Sequence, residues 1–168
     1  MNKYTLAILV KNKFGVLNRV TSMFRRRQFN ISALTVSETE SPELSRITVL
    51  FDGEERYKCQ LVDQLYKLPD VHSIKELNNQ KSVSCELLLI KMKNDPATRT
   101  DILAAADAYD AITLDYTRDS IVFQMAGASL RIDQFVDLMR DYTILEICRT
   151  GLASLERGDG TIKAITNL

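Results

Sequence analysis

Tyr4-Thr5-Leu6-Ala7-Ile8-Leu9-Val10, followed by Lys11-Asn12-Lys13-Phe14-Gly15 and then Val16-Leu17-Asn18-Arg19-Val20, is the stretch that decides the fold. The first seven residues form an apolar, partly β-branched run, which reads as a buried strand. The next five are a polar break ending in glycine. From Val16 the apolar positions Val16, Leu17, Val20, Met23 and Phe24 fall at helical spacing. Arg25-Arg26-Arg27 closes that helix, where cations suit the negative end of its dipole.

Working outward, Phe29–Ser37 and Ser45–Phe51 read as strands, the second ending at the turn signal Asp52-Gly53. Leu61, Val62, Leu65 and Leu68 mark a helix stopped by Pro69, and Val71–Leu77 is a fourth strand. The order is β-α-β-β-α-β. The second half repeats it, starting from Val83–Met92. Asn94-Asp95-Pro96 signals a helix start. Ile102, Leu103, Ala106 and Tyr109 carry one helical stripe, and Ile132, Phe135, Val136 and Met139 another. Between them, strands 111–116 and 121–126 flank a hairpin turn at Thr117-Arg118-Asp119-Ser120. Ile144–Cys148 is the last strand. The fold expected is α+β: two tandem ferredoxin-like units with antiparallel sheets, over residues 1–78 and 82–160, with a tail at 161–168. The polar run Asn78-Asn79-Gln80-Lys81 is the expected linker. Each sheet should leave one face uncovered, so pairing with a second copy is the default expectation.

Composition narrows the function. The 168 residues are 45% hydrophobic and 26% charged, which excludes a disordered chain. No window approaches the roughly 18 consecutive apolar residues of a membrane span, and the start lacks the pattern of a signal peptide. With 22 basic against 22 acidic residues, non-specific nucleic-acid binding is disfavoured. Residues 1–80 carry 12 basic and 9 acidic side chains, and residues 81–168 carry 10 and 13. That asymmetry is too small to imply a polyanionic partner. Cys59, Cys85 and Cys148 form no CxxC pair, and free, mostly buried thiols in a reducing cytoplasm are expected.

Catalytic motifs are scarce. His72 is the one histidine, near Asp70 and Ser73, but adjacent strand residues point to opposite faces. There is no GxGxxG and no P-loop. The acidic stretches Glu38-Thr39-Glu40 and Asp101–Asp110 could hold a metal, but a solvated face is the favoured reading. What remains is the turn at Gly15. A strand feeds a loop, glycine ends it and a helix begins, leaving free N–H groups where a carboxylate could dock. Asn12 could add a side-chain hydrogen bond, and Gly15 lets a ligand approach the backbone. A plain helix start is the other reading of this turn. Asn30-Ile31-Ser32 is a second candidate, with Asn30 alternatively a loop residue in left-handed backbone.

With these residues in hand, the chain resembles the small regulatory subunits of acetolactate synthase (acetohydroxyacid synthase). The matching stretches are Asn12–Val20, Phe29–Val36 and Ser45–Val49 in the first half, which looks like an amino-acid-sensing ACT domain. In the second half Glu86–Lys91, Arg149-Thr150-Gly151 and Leu155-Glu156-Arg157-Gly158 match. Ala33 and Cys85 depart from the Ser and Arg that many relatives carry. The resemblance implies a non-catalytic, cytoplasmic subunit. Its large partner holds thiamine diphosphate and Mg²⁺ and condenses two pyruvates, or pyruvate with 2-oxobutyrate, at the start of branched-chain amino-acid synthesis. The small subunit would raise that activity and confer feedback inhibition by valine. Two ACT domains would pair around the amino acid, Asn12, Gly15, Val16 and Leu17 meeting it from one chain and Asn30 and Ile31 from the other. A free-standing sensor and a small enzyme are the rival readings; the second-half motifs and the missing acid, base and metal set disfavour them.

Overall fold

A computed structural model describes residues 2–78 and 80–163. Asn79 of the expected linker and residues 164–168 of the expected tail lie outside the described residues. The chain divides into two compact units, Met1–Ser84 with Gly151–Leu168, and Cys85–Thr150.

The first unit contains β1 (Asn2–Lys11), α1 (Val16–Arg26), β2 (Ile31–Glu38), β3 (Leu44–Gly53), α2 (Glu55–Leu65) and β4 (Val71–Glu76). Its antiparallel sheet has the order β2-β3-β1-β4. Alternation along β1 sends Tyr4, Leu6, Ile8 and Val10 into a core with Val16, Val20 and Phe24 of α1 and Leu61 and Leu65 of α2. Phe24, Phe29 and Phe51 meet edge to face there, with centroids 5.1–6.4 Å apart.

The opposite face of this sheet was expected to be bare. Instead Thr5, Ala7, Leu9 and Thr48 are all buried, because the chain returns across it from Gly151 onward. Arg46 Nη2 donates to the Ser154 carbonyl at 2.6 Å, Lys75 pairs with Glu156, and the Ser73 hydroxyl donates to the Ile162 carbonyl. Gly151 lies so close that a Cβ would stand 2.8 Å from the Leu34 backbone. The second domain was expected to run to residue 160 with its last strand ending at Cys148, whereas residues from Gly151 onward belong to the first unit. The structure adds one more strand: Ala153–Glu156 pairs with the strand that opens at Ser82, and the Ser84 and Ser154 hydroxyls bond at 2.7 Å. Four residues are too few to register as a periodic pattern.

The second unit is built from β5 (Ser82–Lys93), α3 (Arg99–Ala108), β6 (Ile112–Tyr116), β7 (Ser120–Gly127), α4 (Ser129–Met139) and β8 (Ile144–Arg149); the short strand Ala153–Glu156 is β9. Its sheet order is β6-β7-β5-β8. Leu88, Ile90 and Met92 of β5 meet Ile102, Ala106, Ile132 and Phe135 in its core. Each unit thus has the β-α-β-β-α-β plan read from the sequence. The helix start expected at Asn94-Asp95-Pro96 is instead an Asx turn. Asp95 Oδ1 accepts from the Ala97 N–H at 3.0 Å, and α3 begins three residues after Pro96. Buried Glu86 accepts from Arg149, 2.5 Å away, and from Ser129, and Arg149 also reaches Asp133 at 2.6 Å. That network satisfies a carboxylate whose burial would otherwise be costly. The expectation of buried thiols fails: Cys59, Cys85 and Cys148 are all free and exposed.

Candidate ligand site

β1 delivers the Asn12–Gly15 loop to the sheet's end. The Lys11 N–H bonds the Asp70 carbonyl and the Asn12 N–H bonds the Glu43 carbonyl at 2.7 Å, which anchors the loop from both sides. Gly15 has φ 80° and ψ −6°, left-handed backbone that glycine adopts without Cβ strain. The α1 helix has no side-chain cap. Its first bond of the i to i−4 type runs from the Arg19 N–H to the Gly15 carbonyl at 3.1 Å. The N–H groups of Leu17 and Asn18 precede that bond, at the positive end of the dipole. Phe14 at the tip is fully exposed and Leu17 is 40% exposed.

Two expectations about this loop need refinement. Val16 is 3% exposed and belongs to the core, so its side chain is not offered to a ligand. The Asn12 amide nitrogen is already committed, donating to Glu38 Oε1 at 2.8 Å and to the Pro42 carbonyl at 3.0 Å. Its carbonyl oxygen is left as the acceptor for a ligand cation. Glu38 is the residue that sequence reading missed; it lies 26 positions away, with no local signal linking it to Asn12.

Asn30 is exposed and Ile31 half-buried against the core. The left-handed residue here is Gln28 (φ 58°) and not Asn30. The Phe29 N–H bonds the Phe24 carbonyl at 3.1 Å and the Gln28 N–H bonds the Arg25 carbonyl at 3.0 Å, forming a Schellman stop for α1. The Phe29 ring closes it against Phe24. This stop turns the chain into β2 and sets where Asn30 sits.

The two groups of residues do not meet within one chain. Ile31 pairs with Phe51, which pairs with Tyr4, whereas the Asn12 loop follows Lys11, which pairs with Leu44. Seven residues along β1 separate them, roughly 23 Å at the rise of an antiparallel strand. The Ser-His-Asp grouping is not assembled either. Asp70 holds Arg19 at 2.5 Å, the Ser73 hydroxyl is given to the Ile162 carbonyl, and exposed His72 lies at an irregularity in the β1–β4 pairing.

Comparison with known proteins identifies the family. Residues 6–73 match the AHAS small subunit-like ACT domain and residues 85–158 match the small subunit of acetolactate synthase. This chain belongs to the acetolactate synthase small-subunit family. It is 41% identical to the acetolactate synthase small subunit of Bacillus subtilis over 93% of this chain and 91% of that one. It is 40% identical to the probable acetolactate synthase small subunit of Archaeoglobus fulgidus, over 94% and 98%. The crystal structure of the acetolactate synthase small subunit from Thermotoga maritima superposes with a TM-score of 0.88 at 30% identity, covering 95% of this chain and all of that one. The first unit is therefore the ACT domain of a small subunit.

Proposed function

We propose that this chain is the non-catalytic, cytoplasmic regulatory subunit of an acetolactate synthase. It raises the activity of a large subunit carrying thiamine diphosphate and Mg²⁺, and it confers feedback inhibition by valine or another branched-chain amino acid in their synthesis. The amino acid binds between two ACT domains, one supplying Asn12, Gly15 and Leu17 and the other Asn30 and Ile31.

The observation that carries this reading is the placement of those residues at the two ends of the edge strand β2, Asn30 and Ile31 at its start and, at its end, Glu38 holding Asn12. β2 lies at the end of the sheet, with Val36 41% exposed. Antiparallel pairing of β2 with its copy about a two-fold axis sets the start of each strand beside the end of the other. The end of β2 is Glu38, which is bonded to Asn12. Such pairing brings one copy's Asn30 to the other's loop, and it removes a bare edge. The α-carboxylate then meets the N–H groups at the start of α1, and the ammonium meets the Asn12 oxygen with Glu38 behind it. Leu17 and Ile31 offer apolar surface to a branched side chain.

Reconstitution tests it. Added to its large subunit, the chain should raise pyruvate consumption, and valine should reverse that gain. Acetolactate formation by the isolated chain would overturn the assignment.

A further inference from the structure

Where the returning segment covers the ACT sheet, a cavity of about 380 Å³, open on one side, lies between Leu9, Arg46 and Leu77 on the sheet side and Leu155, Gly160 and Ile162 of the segment. That is near the lower end of ordinary small-molecule sites, roughly 300–1,000 Å³. We infer that this cavity binds a small monoanionic carboxylate with an apolar body, its carboxylate held by the Arg46 guanidinium.

The charges around the cavity support a single anion. Glu156 is taken by Lys75 and Glu40 by Lys163. Glu38 also borders the cavity but accepts from Asn12. Its register partner is Ser45, whereas Arg46 pairs with Ser37. Glu38 and Arg46 therefore leave the sheet on opposite faces. Among the described residues Arg46 has no carboxylate within 4 Å, and its hydrogen-bond partner is the Ser154 carbonyl, on Nη2. The guanidinium has five N–H donors in a planar fork suited to a carboxylate, so most remain free. Arg46 is half-buried, and burial pushes its pKa below the usual value, which is the mark of a cation short of solvation. A carboxylate would restore that solvation. Among the described residues an ammonium would find no uncommitted carboxylate here, so a zwitterionic amino acid is disfavoured. Leu9, Leu77, Leu155 and Ile162 suit a short branched hydrocarbon. This pocket lies on the opposite sheet face from α1, and Glu38 is the one residue it shares with the proposed amino-acid site.

The probe is 3-methylbutanoate, titrated by calorimetry into the full chain, with valine and inorganic phosphate in parallel arms. One 3-methylbutanoate should bind per chain, equally in Gly15→Asp. Arg46→Gln should weaken it by roughly tenfold or more, as loss of a charge-assisted hydrogen bond implies. Arg46→Lys keeps the charge and a donor for Ser154, so it guards against a variant that merely loosens the segment; it too should bind more weakly at an unchanged melting temperature. Absence of binding, affinity unchanged from the native chain in both Arg46 variants, or displacement of the probe by phosphate at lower concentration than by a second branched carboxylate would overturn the inference. Loss of valine binding in Gly15→Asp with the probe still bound would leave both sites standing.

Discussion

Asn12 Nδ2 donates to Glu38 Oε1 over 2.8 Å, tying the loop before α1 to the last residue of β2. The bond joins two pieces of the proposed site that belong to one copy, and it leaves the Asn12 oxygen as the acceptor proposed for the ligand's ammonium. In Glu38→Ala the amide is free to rotate, so valine affinity should fall several-fold. A double-mutant cycle with Asn12→Ala should show coupling of about 0.5–3 kcal/mol, as for residues sharing one hydrogen-bond network. Calorimetry on the four proteins measures it, and strict additivity would mean the bond does not position the loop.

Gly15→Asp should abolish inhibition while sparing activation. The left-handed φ of 80° becomes strained by a Cβ, and the added carboxylate repels that of the ligand at the start of α1. Gly15→Ala isolates the strain and should cost about 1–2 kcal/mol of stability by denaturant unfolding. Asn30→Ala should weaken valine binding less than Gly15→Asp, because it removes polar contacts without adding repulsion.

Gly151→Ala should destabilise the first unit by about 1–3 kcal/mol, since its Cβ would press on the Leu34 backbone at 2.8 Å. Thermal unfolding checks this. Gly127→Ala is the control, because its Cβ meets nothing within 4 Å.

A fragment of residues 1–80 contains a complete β-α-β-β-α-β unit and, from sequence alone, should fold and bind. The returning segment changes that expectation. Without it Ala7 and Leu9, which are 0% and 4% exposed, would face solvent. The fragment should unfold at lower denaturant than the full chain, and sedimentation should show it self-associating. Stability equal to that of the full chain would mean the segment contributes nothing to the sheet.

Lys58 sits between Glu55 at 2.5 Å and Glu76 at 2.7 Å. Burial works to lower its pKa, but the two carboxylates outweigh that and raise it. Lys58, then Tyr4, hold the Glu55 carboxyl below its usual range. A raised lysine stabilises below about pH 10 and loses that as pH rises through its folded value; a lowered carboxyl stabilises above about pH 4 and loses that as pH falls through its folded value. Lys58→Met should therefore unfold more readily than the native chain at neutral pH. The gap between the two in denaturant midpoint should narrow at pH 3. A gap independent of pH would assign the lysine's role to packing.

Apart from β9, the elements and their order were legible in the amino-acid sequence. The run Tyr4–Val10, the glycine before Val16 and the repeat from Val83 are local patterns, and hydrophobic periodicity reports directly which side of an element is buried. It does not report what buries it. Leu9 reads as apolar whether its cover is a second copy or, as here, a segment beyond residue 150. The Arg46–Ser154 bond spans 108 positions and the Asn12–Glu38 bond spans 26, and neither leaves a local trace. Left-handed backbone at Gln28 was equally hidden, because the Schellman stop and the Phe24–Phe29 contact impose it on a residue with no special preference for it. Tertiary structure alone decided those points, since each depends on which distant group the completed fold brings into contact.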